Sequence, residues 1–282
     1  MKETKSIIDI IKKRQSKRKF IDKELSKNDF EQVTNILKSH TEAPFGNKIS
    51  FSLIEKKFAN ENYKIKLGTY GFISGAKYFI VCHAKQSEHI FEDAGYLFEK
   101  IILDLTKIGL GTCWLGGTFK RSDFSTVLKM EENVIIPAIS PVGYPTPSKS
   151  VKEKIIRWGA KSDRRKEWSE IFFNNSFDEK LTEENANIFA KPLEMLRLAP
   201  SASNKQPWRI LLINKTFHFY LSRTPGYKKT YINSDLQLID MGIAMSHFEL
   251  TCKELNIPGG WQIDNPNINS EKIDEYIISW KI

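Results

Sequence analysis

Cysteine is scarce in these 282 residues: Cys82, Cys113 and Cys252 stand far apart with no CxxC pair. An odd number excludes complete pairing within one chain, so buried, reduced thiols are expected. The five histidines, His40, His83, His89, His218 and His247, form no HxxxH or HExxH pattern, which argues against a dedicated metal centre. Long apolar runs are missing as well. The isoleucine-rich start (Ile7, Ile8, Ile10, Ile11) is broken by Asp9 and followed by Lys12 and Lys13, so neither a secretory core nor a membrane span is expected. The reading is a cytoplasmic protein with no membrane partner. No Ser-His-Asp set and no paired carboxylates announce hydrolytic chemistry.

What is present in excess is positive charge. Forty-three Lys and Arg against 34 Asp and Glu give a formal +9, partly concentrated in Lys12, Lys13, Arg14, Lys17, Arg18 and Lys19. Nucleic acid is one anionic partner to consider, but the basic runs are short, separated and without interleaved aromatics or a module signature. A phosphorylated small molecule suits them equally, and a merely solvated lysine-rich surface explains the charge alone. Hydrophobic residues make up 40%, enough for the core of one large domain or two ordinary ones.

The most concentrated chemistry lies in Ala199-Pro-Ser-Ala-Ser-Asn-Lys-Gln-Pro-Trp208. Two prolines fix φ and cannot donate to a ladder, which predicts a rigid turn leaving a helix and entering a strand. Ser201, Ser203, Asn204 and Gln206 offer donors and acceptors to a flat heterocycle with polar edges. A loop whose small polar residues cap the preceding helix is the plainer alternative. Upstream, Arg14-Gln-Ser-Lys-Arg18 surrounds Ser16 with cations able to share one phosphate. Gly109-Leu-Gly-Thr-Cys-Trp-Leu-Gly-Gly117 has glycines spaced to let backbone amides approach a partner. Helices are predicted over 4–13, from the Ser26 cap to Leu37, over 88–107, 122–130 and 238–255, with strands over 49–55, 77–83 and 134–139. Residues 149–166, ending in Asp163-Arg-Arg-Lys166, read as a basic arm across the surface.

The chain then starts again. Leu181-Thr182 through Ala199-Pro200 matches Leu25-Ser26 through Ala43-Pro44 without a gap, and Asp240-Met-Gly242 through Trp261 matches Asp93-Ala-Gly95 through Trp114. Two fused copies of one domain follow, a dimer written as one polypeptide. The copies differ: the first keeps the basic start and the glycine-rich segment, while its counterpart of the polar loop has become Ala-Pro-Phe-Gly-Asn-Lys. The second keeps Ala199 to Trp208. One whole site can be assembled from two halves, and the stretch Ala43 to Lys48 is expected to face an empty or absent one.

With these five carriers in order, Arg14 to Phe20, Gly109 to Gly117, Pro141-Val-Gly143, Arg164-Arg-Lys166 and Ala199 to Trp208, the chain resembles the nitroreductase family of flavoproteins, in its fused two-repeat branch. The resemblance implies an α+β fold of two tandem nitroreductase-like copies forming an intramolecular pseudo-dimer, with mixed, mainly antiparallel sheets flanked by helices. The halves would be 1–170, including the arm at about 149–170, and 171–282. It further implies flavin mononucleotide (FMN) across the halves. Arg14, Ser16 and Arg18, with Lys17, would hold the phosphate and ribityl chain, and Arg164 and Arg165 would give a second phosphate contact. Pro200, Ser201, Ser203, Asn204 and Gln206 would cross from the second half, and Trp114, Leu115, Gly116 and Gly117 would lie beside the ring. Two departures stand out: the segment Gly68 to Ile73 offers Thr69 and Tyr70 where many members have an Asn, and Trp114 is bulkier than some counterparts.

By the same resemblance the activity is ping-pong oxidoreduction, with hydride from NADH or NADPH and a nitroaromatic or quinone-like small molecule as electron acceptor. The cofactor would carry the redox step, so no catalytic side chain is assigned. A flavin-binding module without turnover is the first alternative and a basic nucleic-acid-binding protein the remote one. A monomeric pseudo-dimer is expected, with further association open.

Overall fold

Two long helices, buried along nearly their whole length, form the centre of the molecule. In the computed structural model, described for residues 6–147, 164–227 and 234–282, these are α4 (Ile90–Lys107) and α9 (Leu236–Glu254). Before α4 come α1 (Ile7–Lys13), α2 (Lys27–Ser39), β1 (Ser50–Glu55), α3 (Lys56–Tyr63) and β2 (Tyr78–Lys85). After it come β3 (Gly111–Thr112), α5 (Arg121–Leu128), β4 (Val134–Gly143), α6 (Trp168–Ile171), β5 (Phe172–Asn174) and β6 (Ser176–Lys180). Then follow α7 (Glu183–Ala186), α8 (Ala190–Arg197), β7 (Trp208–Ile213) and β8 (Thr216–Leu221), and, beyond α9, β9 (Gly260–Gln262) and β10 (Glu275–Lys281).

The strands make two sheets, ordered β1-β2-β4-β3 and β6-β5-β7-β8-β10-β9. Pairing is antiparallel throughout both, except that β5 runs parallel to β7. The fold is thus α+β and mainly antiparallel, as expected. One core lies under the first sheet, where Val33, Ile80, Phe98, Ile101 and Val142 meet. A larger one joins Leu193, Trp208, Phe219 and Phe248 to Tyr96 and Leu97 of α4. Helix α1 spans the seam, packing Ile10 and Ile11 against Leu103 of α4 and Met195 of α8.

The crossing of α4 and α9 has the reciprocity of a two-fold axis. A Cβ on Gly95 would lie 2.1 Å from the Ile239 carbonyl oxygen, and one on Gly242 would lie 1.9 Å from that of Glu92. Gly95 and Gly242 are repeat mates, as are Glu92 and Ile239, so each helix presents its glycine to the same point of the other. The caps repeat as well: Ser26 Oγ accepts the Asp29 N–H at 3.1 Å, and Thr182 Oγ accepts that of Asn185 at 3.1 Å. The second copy then breaks its helix. A 3₁₀ turn (Asn187–Phe189) separates α7 from α8, and Asn187 has φ of 51°.

Helix α3 is unpredicted. Its sequence buries only Ala59 and shows no apolar stripe, so periodicity had nothing to report. Most of the expected basic arm, residues 148–163, lies outside the described residues. All three cysteines are buried. Among the described residues, no helix is long and apolar enough to cross a membrane.

Candidate functional site

Beside the helix crossing, a cavity of about 250 Å³ takes its wall from both halves. Ser16 and Arg18 enter from the segment after α1, Trp114, Leu115, Gly116 and Gly117 from the segment after β3, and Pro200, Ser201 and Ser203 from the loop before β7. These nine residues were singled out in the sequence. The remaining wall was not: Phe72, Thr118, Ala138, Ala202 and Tyr227 contribute, as do Leu236, Ile239, Asp240 and Ile243 along α9. The repeat marks Asp240, and Phe72 lies in the segment Gly68 to Ile73. The other α9 residues carry no signal beyond an apolar helix.

Each segment has a local reason for its place. Leu115 exchanges backbone hydrogen bonds with Ile139 at 3.0 and 2.9 Å, and the Arg121 guanidinium holds the carbonyls of Gly116 at 2.5 Å and Ile136 at 3.1 Å. Gly116 meets the second half directly: a Cβ there would stand 2.4 Å from Leu236 Cδ2. Ser16 bridges Thr112 in parallel, and the Lys17 N–H donates to the Thr112 carbonyl at 2.7 Å, which lays the basic segment along β3. Trp114 packs edge-on against Phe98, ring centres 4.8 Å apart, and donates its indole N–H to Glu99 Oε2 at 2.6 Å.

The six other candidates do not line this cavity. Arg14 is turned inward, its Nε 3.6 Å from Oε1 of the wholly buried Glu99, which also meets His247 Nε2 at 2.9 Å. The His247 Nδ1 donates to the Met195 carbonyl at 3.0 Å. Arg14 therefore offsets a buried carboxylate behind Trp114. Lys17 packs its Cβ against Gly111, where an added Cβ would sit 3.1 Å away. Asn204 Nδ2 donates to the Arg164 carbonyl at 2.9 Å, and Arg165 donates to Asn204 Oδ1 at 3.3 Å and the Leu198 carbonyl at 3.0 Å. Gln206 Oε1 accepts the Lys166 N–H at 2.8 Å while its amide donates to the Asn204 carbonyl at 3.2 Å. The polar decapeptide thus divides: Pro200 to Ser203 face the cavity, and Asn204 and Gln206 clasp the segment 164–166.

The clasp holds a strained backbone. Ser203, Asn204 and Gln206 adopt φ of 49°, 54° and 50°, a left-handed region that side chains disfavour. Two interactions fix the loop from below: Ser201 Oγ accepts the Gln206 N–H at 2.9 Å, and Asp240 Oδ1 accepts the Ala202 N–H at 2.9 Å. Asp240 Oδ2 is buried without a hydrogen-bond partner among the described residues. Burial pushes this carboxyl well above the usual range, only partly offset by the Ala202 N–H, with Asp235 adding to the rise. Its repeat mate Asp93 is better served: Oδ1 accepts the Phe45 N–H at 3.1 Å, and Oδ2 accepts the Asn47 N–H and Nδ2, each at 3.0 Å.

At the pseudo-two-fold position of this cavity, Phe45 and His89, repeat mates of the lining residues Ser201 and Leu236, stack on each other with ring centres 4.1 Å apart. Ala43 and Pro44, repeat mates of Ala199 and Pro200, line a separate cavity of about 590 Å³ together with Tyr96, Lys100, Glu249 and Trp261. Here Trp261, the mate of Trp114, donates its indole N–H to Glu249 Oε2 at 2.6 Å, and Lys100, the mate of His247, lies 3.7 Å from Glu249 Oε1. Each tryptophan therefore meets a glutamate of its own half, backed by a basic side chain from the other half's long helix.

A family model described as "Putative TM nitroreductase" matches residues 6–252. Among solved structures, a nitroreductase so described from Thermotoga maritima aligns over 99% of this chain and 95% of its own, at 20% identity and a TM-score of 0.61. An FMN-dependent nitroreductase from Clostridium difficile R20291 covers 51% of this chain and 90% of its own, at 23% identity and 0.42. A nitroreductase family protein from Clostridium novyi covers 52% and 89%, at 21% and 0.42. No curated protein matches in sequence. The chain shares the architecture of the Thermotoga protein over its whole length, and it belongs to the TM nitroreductase family.

Proposed function

We propose that this protein is an FMN-dependent oxidoreductase that draws electrons from NADH or NADPH and passes them in ping-pong fashion to a small nitroaromatic or quinone-like acceptor. The carrying observation is the shared wall: Ser16, Arg18 and Trp114 to Gly117 face Pro200 to Ser203 and α9 across one cavity. The donor set suits the cofactor. Arg18 and Ser16 offer a cation and a hydroxyl to a phosphate, the backbone at Gly116 and Gly117 is open to a ring edge, and Trp114, Leu236, Ile239 and Ile243 provide an apolar bed. The orphaned Asp240 Oδ2 is a polar atom still wanting a partner from a ligand. When bound, the flavin supplies the two-electron chemistry, and the chain's residues bind it, orient it and keep water from its buried face.

In this reading the halves are 1–170 and 171–282, joined as one functional unit with a single flavin site, acting as a monomer. Arg18 is the direct phosphate ligand, and Arg14 supports the wall through Glu99. Lys17, Arg164 and Arg165 act by fixing the segments on either side, as do Asn204 and Gln206. Absorbance of the purified protein, titration with FMN, and oxidation of NADH and NADPH with menadione or nitrofurazone test the proposal. A flavin band and turnover are expected. Failure to take up FMN removes the reading, and bound flavin without turnover reduces it to a binding module. Arg18→Ala should lower FMN affinity by about 10-fold or more, the loss of one charge-assisted contact, without lowering the melting temperature. Arg14→Ala should lower the melting temperature, because it strips a cation from the buried Glu99.

A further inference from the structure

The second cavity holds an amine that the flavin chemistry does not use. Lys100 projects from α4 with a side chain only 10% exposed, and its Nζ donates to the Tyr96 hydroxyl at 2.6 Å. That hydroxyl donates in turn to Glu249 of α9, which also accepts the Trp261 indole N–H at 2.6 Å and pairs with Lys253. Tyr96, Trp261 and Trp280 give the cavity aromatic sides. Gly259 and Gly260 line it without side chains, and a Cβ on Gly260 would meet nothing within 4 Å. An open space of about 590 Å³ thus has Lys100 in its wall.

The charges around Lys100 do not fully compensate its burial. Desolvation lowers its pKa to about 8; Lys253 pushes the same way, while Glu249 and Asp104 oppose. The other titratable groups on the wall are His40, bonded to Asp104 at 2.8 Å, and Glu42. A lysine so placed spends part of its time as free amine near neutral pH, the form that attacks carbonyl carbon.

We propose that Lys100 is a carbonyl-binding lysine and that the second cavity takes a small aromatic aldehyde, held as an imine. The Nζ lone pair forms a bond to the carbonyl carbon, the C=O π pair moves to oxygen, and a proton passes from nitrogen to that oxygen to give a carbinolamine. The nitrogen lone pair then forms C=N as the C–O bond breaks. The leaving hydroxyl departs as water with a proton from solvent, and the nitrogen's remaining proton passes to solvent. Amine and aldehyde give imine and water, with no change of oxidation state. Tyr96 positions the amine, because its hydroxyl accepts from Nζ, and Glu249 holds that hydroxyl in place. The aromatic walls choose an aryl substituent over an alkyl one.

This inference stands apart from the flavin site, and its test needs no flavin. The full-length protein is incubated with benzaldehyde and sodium cyanoborohydride, which reduces an imine to a stable secondary amine, then digested and mapped by mass spectrometry. Lys100 should acquire the benzyl group at least about 10-fold faster than the exposed Lys253, since burial raises the free-amine fraction of Lys100 at pH 7. Its rate should rise and level off near pH 8. Tyr96→Phe, which keeps the ring in the core, should slow labelling at Lys100 about 10-fold and leave Lys253 unchanged. Label spread over surface lysines with Lys100 no faster than Lys253 would overturn the proposal and leave the cluster an ion pair. Equal rates in the Tyr96→Phe variant would remove Tyr96 as the group that positions Nζ.

Discussion

Asn204 and Asn47 occupy comparable places in the two copies and do different things. Asn204 ties the polar loop to the 164–166 segment, whereas Asn47 bonds Asp93 and the Glu88 carbonyl at 2.9 Å. Asn204→Ala should cost about 1–2 kcal/mol in denaturant titration and weaken FMN retention, because the loop bearing Ser201 and Ser203 loses its clasp. Asn47→Ala should leave FMN affinity unchanged. Asp240 gives a second test. Its carboxyl is raised by burial, so both folded and unfolded chains hold the proton at low pH and no penalty arises there. Above the unfolded value, near 4, the unfolded chain releases the proton first, and the folded state loses stability as pH rises toward the folded value. Asp240→Asn should accordingly be more heat-stable than the parent at pH 7, the difference closing at pH 3 in paired melting curves. At this scale the sequence disclosed residue types better than roles. Ser16, Arg18 and Ser201 could be singled out from their neighbours in the chain. Arg14 could not be separated from Arg18, because what distinguishes them is Glu99, far along the sequence.

The elements most readable in advance were those with strong periodicity or capping: α2 begins after Ser26, and α4 and α9 fall close to their expected ranges. The repeat also placed Gly95 and Gly242 in register, but not the reason for them. That reason is a close approach of two backbones, a property of the pair that neither helix shows alone. Gly242→Ala drives a methyl group to within 1.9 Å of the Glu92 carbonyl. It should destabilise by about 1–3 kcal/mol or more, seen as a lower midpoint in urea with a nearly unchanged slope. Gly260→Ala, with open space around it, serves as the control and should be far milder. The α9 wall of the cavity was illegible for the related reason that an apolar helix lines a ligand site and a core with the same residues. Only Asp240, polar and 3% exposed, betrays the difference.

At the scale of the molecule, α4 is buried jointly by both halves, and Tyr96 and Leu97 belong to the core of the second. Neither half can withdraw without exposing the other's apolar surface, so unfolding should be one cooperative event. Far-ultraviolet circular dichroism and tryptophan fluorescence, which reports on Trp114, Trp158 and Trp168 in one half and Trp208, Trp261 and Trp280 in the other, should give superimposable transitions. Separated transitions would mean that the halves fold independently. The tandem arrangement was legible from two ungapped blocks. The cavity beside Ala43 and Pro44 was not, since Ala43 to Lys48 reads only as a degraded loop, while the polar cluster beside it is assembled from α4 and α9.

The reciprocal glycines bear on how such a chain can change over time. In a dimer of identical subunits any substitution strikes both sites at once, so neither can be altered without risk to the other. Joining the copies lifts that restriction wherever a residue serves a single cavity, and Lys100 and His247 have already parted company. At Gly95 and Gly242 the freedom ends, because each must still clear the other strand of the same joint. Heritable variation in this protein should therefore be wide around its cavities and narrow along the line where its two helices cross.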